Sequence, residues 1–361
     1  MPRRTLIRFG VAMLFVIVSL RPATLRAQGS TPAAYAAAVV AERAFRWQEA
    51  EAIYRAELEV ATRNAADELS VARAAYYLGD FLRRRGAYAE AEPLLRNVLR
   101  VREAQLGGEH GDVATALNSL ALLYSHQGNH AAAEPLARRA LAVREKLGVE
   151  SVELAQTLNT LGSLERAKGY LNEAEELLER ASAIAERLRG PNDATGATEL
   201  NNLALVYQAQ GRTLRAEQTL RRVLEIRERA QGREHPDVGI TLNNLASLLS
   251  KRWEVDEAEK LLKRALKIFE KAMGPEHIQT GNTLNSLAMN YVAKKELGRA
   301  EPLVRRAIGI FEQAYGANHP QVGAVLVNYA GVLERMGRTE EAAQVQARAQ
   351  TILGPRMAST K

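Results

Sequence analysis

Between residues 197 and 231, apolar side chains recur at steps of three and four. Leu200, Leu203, Ala204 and Tyr207 mark one face of a helix, and Ala216, Leu220, Val223, Leu224 and Ile226 mark one face of a second. Gly211 lies between the two stripes, in the slot just past a helix end where a left-handed residue is easiest. The pattern predicts helix, turn, helix. Gly86, Gly128, Gly169 and Gly337 hold the same slot in other segments, while Trp253 and Lys295 replace the glycine.

The pattern repeats along the chain. The alanine of the "EAE" or "RAE" triplet ("AAE" at Ala133, "EAA" at Ala342) falls at Ala50, Ala91, Ala133, Ala174, Ala216, Ala258, Ala300 and Ala342, in steps of 41, 42, 41, 42, 42, 42 and 42. Eight units therefore fill roughly residues 31 to 353. One hairpin cannot bury its apolar face alone, so neighbouring units must stack. Pro236 and Pro320 follow a histidine where first helices should start, a position that suits a residue without an N–H. Pro93, Pro135 and Pro302 are expected near the start of second helices, among N–H groups that lack partners anyway.

The tight slots between helices are predicted to hold small residues. These are Ala121, Gly162, Ala204, Ala246 and Ala288 in first helices, and the pairs Ala133/Ala140, Ala174/Ala181, Ala258/Ala265 and Ala300/Ala307 in second helices. With these residues, the phrases "LNNLALVYQAQG", "GREHPDVGITLNNLA" and "GANHPQVG" resemble the tetratricopeptide repeat, and more narrowly its 42-residue kinesin-light-chain type in exported bacterial form. The resemblance implies an all-α fold, a right-handed α-solenoid (superhelix) of about eight stacked repeats. The solenoid is expected to span 28–353, with a C-terminal tail at 354–361. It also implies a concave inner surface lined by the first helices.

Asn118, Asn159, Asn201, Asn243 and Asn285 hold one repeat position, and Asn202, Asn244 and Asn328 hold the next. In the family resembled, asparagines there grip the backbone of a bound peptide. An amide offers two donors and two acceptors, so it meets a peptide N–H or C=O whatever the side chain. The competing expectation is structural, with the amides bonding between neighbouring first helices, and the two roles can coexist. The candidate peptide-binding residues are Asn118, Asn159, Asn201, Asn202, Asn243, Asn244 and Asn285. Ser125, His126, Arg166, Gln208, Ser250, Lys251 and Arg335 are placed on the same inner face, with a modest basic tilt. The doublets Arg138-Arg139, Arg221-Arg222, Lys263-Arg264 and Arg305-Arg306 read as outer-face ion pairing between repeats.

Residues 1–27 differ from the rest. Arg3, Arg4 and Arg8 precede a twelve-residue apolar run, Phe9 to Leu20, followed by "RPATLRAQGS". A basic start, a short apolar core and a small residue before the cut describe a signal peptide, with cleavage after Ala27. The run falls short of the roughly 18 residues a membrane span needs, although an uncleaved anchor is the alternative. The expected location is therefore periplasmic or secreted, with no stable membrane insertion afterwards. This segment also explains the charge. The chain is +7, but its 49 Lys and Arg less the five arginines of 1–27 leave 44 against 42 acids. The high pI is weak support for nucleic acid, which is not expected as a partner.

With no cysteine there is no thiol nucleophile and no Cys-based metal site. His110, His235, His277 and His319 share one linker position and are expected to cap helices. Stacked helices lie roughly 8–10 Å apart, too far for successive rings to share a zinc at about 2.0–2.1 Å. His126 and His130 straddle the turn at Gly128, and Trp47 and Trp253 are expected to pack near turns. Phosphate loops, nucleophile elbows and HExxH are missing from the sequence. The reading is a non-catalytic scaffold with no cofactor, binding an extended peptide or partner segment in its groove. The alternative is an accessory subunit that positions substrate for a secreted or envelope enzyme.

Overall fold

The computed structural model describes residues 32–64, 67–194 and 196–354. The expected export signal and the tail lie outside them. Among the described residues there are sixteen helices and no strands. The first helices of the units are α1 (Pro32–Arg43), α3 (Glu68–Arg84), α5 (Gly111–His126), α7 (Val152–Lys168), α9 (Gly196–Ala209), α11 (Pro236–Lys251), α13 (Ile278–Ala293) and α15 (Pro320–Arg335). The second helices are α2 (Trp47–Arg63), α4 (Tyr88–Leu106), α6 (His130–Lys146), α8 (Leu171–Arg189), α10 (Thr213–Gln231), α12 (Val255–Ala272), α14 (Leu297–Tyr315) and α16 (Thr339–Leu353). None is long and apolar enough to cross a membrane.

The turn between the two helices of a unit is left-handed throughout. Gly86, Gly128, Gly169, Gly211 and Gly337 have φ between 75° and 90°, and Phe45, Trp253 and Lys295 hold the same slot at 58°, 66° and 61°. The small residues close the hairpins as expected. Ala121, Ala204, Ala246 and Ala288 are fully buried, and a Cβ on Gly162 would meet Leu178 Cγ at 2.8 Å.

The prolines are a correction. Pro93, Pro135 and Pro302 are each the sixth residue of α4, α6 and α14, beyond the unpaired N–H groups. Each therefore removes a hydrogen bond inside its helix. The residues four back, where the ring crowds the backbone, are the small Ala89, Ala131 and Gly298.

The stacking has a direction. From α3 onwards, first helices of successive units touch one another, whereas second helices of successive units do not. The first helices are thus the closer-set layer and line the inside of the curve, with the second helices splayed outside.

A glutamate after each of the six ruler alanines from Ala91 to Ala300 ties a unit to the next. Tyr124 Oη donates to Glu92 at 2.9 Å, Lys168 pairs with Glu134 at 2.8 Å, and Arg212 with Glu175 at 2.6 Å. Arg252 pairs with Glu217, Lys294 with Glu259 at 2.6 Å, and Arg338 with Glu301 at 2.7 Å. The basic doublets lie outside and pair between units, as expected. Their second members reach back: Arg139 to Glu103, Arg222 to Glu186, Arg264 to Glu228 and Arg306 to Glu270. Arg138 and Arg221 reach forward, to Glu173 and Glu257. Exposed pairs of this kind individually contribute little, about 0.2–1 kcal/mol.

Candidate peptide groove

The asparagines form rungs between neighbouring first helices. Asn202 Nδ2 donates to Asn159 Oδ1 at 2.8 Å, Asn244 to Asn201 at 3.1 Å, and Asn328 to Asn285 at 3.1 Å. In each rung the first asparagine of one unit accepts from the second asparagine of the next. Where the next unit lacks that second asparagine, the rung is missing. Thr160 follows Asn118 and Ser286 follows Asn243, and the buried Oδ1 atoms of Asn118 and Asn243 have no hydrogen-bond partner. Thr160 Oγ1 donates instead to Gln156 O at 2.9 Å, within its own helix.

All seven candidate residues thus fall on one repeat face of α5, α7, α9, α11 and α13. Asn201 is buried, and the other six are half-buried. The rungs give five of the seven an inter-unit partner. Each rung uses one N–H and one oxygen, leaving further amide capacity on both members.

Further along the same face, Ser250 Oγ donates to Asn290 Oδ1 at 2.9 Å and Arg335 donates to Gly331 O at 2.8 Å, so both are committed. Arg166 and Gln208 share one repeat position on α7 and α9, and their buried Nε and Nε2 atoms have no hydrogen-bond partner. Burial holds Arg166 below its usual range, with no neighbouring carboxylate offsetting the effect. His126 is accessible to water yet enclosed by protein; this enclosure, with Arg83 close by, pushes it down to about 4.

The linker histidines cap helices, as expected. Nδ1 of His110, His235, His277 and His319 accepts the N–H of Asp112, Asp237, Gln279 and Gln321 at 3.1, 3.2, 3.1 and 3.2 Å. An accepting Nδ1 leaves the neutral ring's proton on Nε2. Among the described residues no group of three His, Asp or Glu is placed to hold a metal.

The histidines also take part in a contact that sequence reasoning missed. Turns of the first three units meet linkers of the last units across one full coil of the superhelix. The Phe45 ring lies 6.0 Å from His235, and Trp47 Nε1–H donates to Ala272 O. Arg85 covers Trp47 at 4.8 Å, while a Cβ on Gly86 would stand 2.8 Å from Ile278 Cδ1. Tyr88 stacks on Tyr315 at 6.2 Å, and His319 Nε2–H donates to Gln127 O at 3.0 Å. Cavities of about 480 and 580 Å³ open along this seam. The aromatic residues near the turns were its only sequence signal. Trp47 packs as expected; Trp253 does not, being 77% exposed. It sits in the turn of the sixth unit, which faces no linker among the described residues.

Stacked hairpins with the first helices inside define a helical-repeat protein-interaction scaffold. The tetratricopeptide-repeat family model matches residues 70–146, 153–229, 195–254, 241–313 and 294–353. The chain belongs to the tetratricopeptide-repeat family, whose members are generally non-catalytic. It is similar to kinesin-light-chain repeats from Podosopora anserina, with 24% identity over 58% of this chain and 100% of that one and a TM-score of 0.46. BtubC (BKLC) from P. vanneervenii is 26% identical over 65% of this chain and 92% of its own, at a TM-score of 0.47. A Rap protein complexed with competence and sporulation factor shares the fold at a TM-score of 0.61, with 14% identity over 89% of this chain and 96% of that one. No match was found among curated proteins.

Proposed function

We propose that the chain is an exported, non-catalytic scaffold that holds an extended peptide segment of a partner protein along the asparagine face. The observation that carries this reading is a set of unmatched polar atoms at two repeat positions on four successive first helices. Asn118 Oδ1 and Asn243 Oδ1 are acceptors, and Arg166 Nε and Gln208 Nε2 are donors. Buried polar groups without partners are rare and costly, about 1–3 kcal/mol each. A peptide backbone supplies donors and acceptors of both kinds along one line. Export rests on the sequence pattern of residues 1–27 alone, and N-terminal sequencing of the mature chain, expected to begin near Gln28, tests it.

Asn118 and Asn243 are the informative pair for binding, because neither takes part in a rung. Peptides selected from a random library against the intact chain supply the probe. Asn118→Ala with Asn243→Ala should keep the melting temperature and lose roughly tenfold or more in affinity, two bonds of about 0.5–1.5 kcal/mol each. Unchanged affinity in a normally folded double variant places binding off this face.

A further inference from the structure

Nine large apolar side chains stand exposed among the described residues, and six of them lie on two edges of the solenoid. Tyr170, Leu214 and Trp253 are at or beside turns of the fourth to sixth units. Leu147, Val149 and Leu188 are at linkers after the third and fourth units. These are the two kinds of edge that cover each other in the seam. There the turn of the first unit meets the linker after the fifth, through Phe45 and His235, and the third meets the linker after the seventh, through Gln127 and His319. The turns of the fifth and sixth units would, in that register, need linkers beyond the eighth.

Trp253 is the sharpest feature of the free turn edge. It holds a bulky side chain at φ +66°, a backbone region costly for anything but glycine. Its repeat equivalent Phe45 holds φ +58°, and that ring packs against Trp47 and His235 at 5.9 and 6.0 Å. Trp253 carries the same strain and stays uncovered. The linker edge has a matching residue. Three of the four helix-capping histidines lie along the seam, whereas His110 is exposed. Carried past the eighth unit, the seam register sets the turn of the sixth unit opposite the linker after the second unit of another copy. That linker ends in His110.

We propose that the chain self-associates head to tail, the turn edge around Trp253 docking on the linker edge around His110 of a second copy. Trp253 packs at a tilt against His110 of that copy, as Phe45 does against His235 within one chain. The two edges are different surfaces, so the contact is heterologous and propagates.

Sedimentation velocity over a concentration series tests this on the full chain. Two substitutions remove one edge each while keeping the fold. Trp253→Gly restores the residue that most turns carry, and His110→Asp keeps the cap, since Asp67 caps α3 by accepting from Ser70 N–H. The wild-type chain should associate with rising concentration, and either variant should weaken association tenfold or more. Mixed together, the two variants should form one-to-one pairs that grow no further, because each still owns one edge. A wild-type chain that stays monomeric throughout would overturn the proposal. So would association untouched by Trp253→Gly, or a mixture no more associated than its parts, with circular dichroism confirming the fold in every sample.

Discussion

Replacing Ser286 with asparagine should complete a rung that the chain leaves open. Ser286 occupies the repeat position of Asn202, Asn244 and Asn328, each of which donates to the preceding unit at 2.8–3.1 Å. Asn243 Oδ1, the acceptor that faces it, is buried without a partner. An unmatched buried acceptor costs about 1–3 kcal/mol, and ordering a half-buried asparagine takes back roughly 1 kcal/mol. The expected net gain is about 1 kcal/mol. Urea melts of the wild type and of Ser286→Asn measure it, and the same substitution in an Asn243→Ala background isolates the bond. The gain should disappear there. Equal gains in both backgrounds would mean that the stabilisation came from elsewhere in α13. No gain in either would sink the complementarity rule. A second readout bears on function: with Asn243 Oδ1 occupied internally, peptide affinity should fall although the fold is firmer.

Two further predictions concern pH. His277 is pushed down to about 4, chiefly by burial and secondarily by Arg85, and burial lowers His235 as well. An unfolded histidine takes its proton near pH 6.5. Stability is therefore present above that value and lost as pH falls towards 4, and His277→Asn, which retains a capping side chain, should flatten thermal melts compared across that window. Glu199 runs the other way: burial pushes it up to about 7 against the pull of Arg227, so its contribution is lost as pH rises through 7. Glu199→Gln should raise the melting temperature at pH 8 and change it little at pH 5; an unchanged value at pH 8 would contradict the burial argument.

What could be read from the sequence was whatever repeats within one unit. The left-handed turn slot, the small residues of the hairpins, the histidine caps and the outward basic doublets all follow from local geometry at a 42-residue period. The asparagines were visible as a line, but the offset pairing of first with second asparagine needed the helices side by side. The glutamates after the ruler alanines were equally regular, yet nothing in their spacing shows which neighbour they bind. The prolines were misjudged because the second helices begin earlier than their apolar stripe suggests. Pairing of turns with distant linkers was out of reach, since it depends on the pitch accumulated over about five units. A small change in each unit's rotation would abolish it without altering any motif.

Closure of the coil on itself changes how the molecule should come apart. In an open array each repeat holds only its neighbours, so unfolding frays inward from the ends. Here Trp47 holds Ala272 and Gln127 holds His319, so the early units are fastened to the late ones. The first hairpin cannot peel away without releasing contacts in the second half of the chain. The seam thus turns a linear zipper into a cooperative loop, in which the first hairpin exchanges its amides with solvent on the same timescale as the distant units it touches.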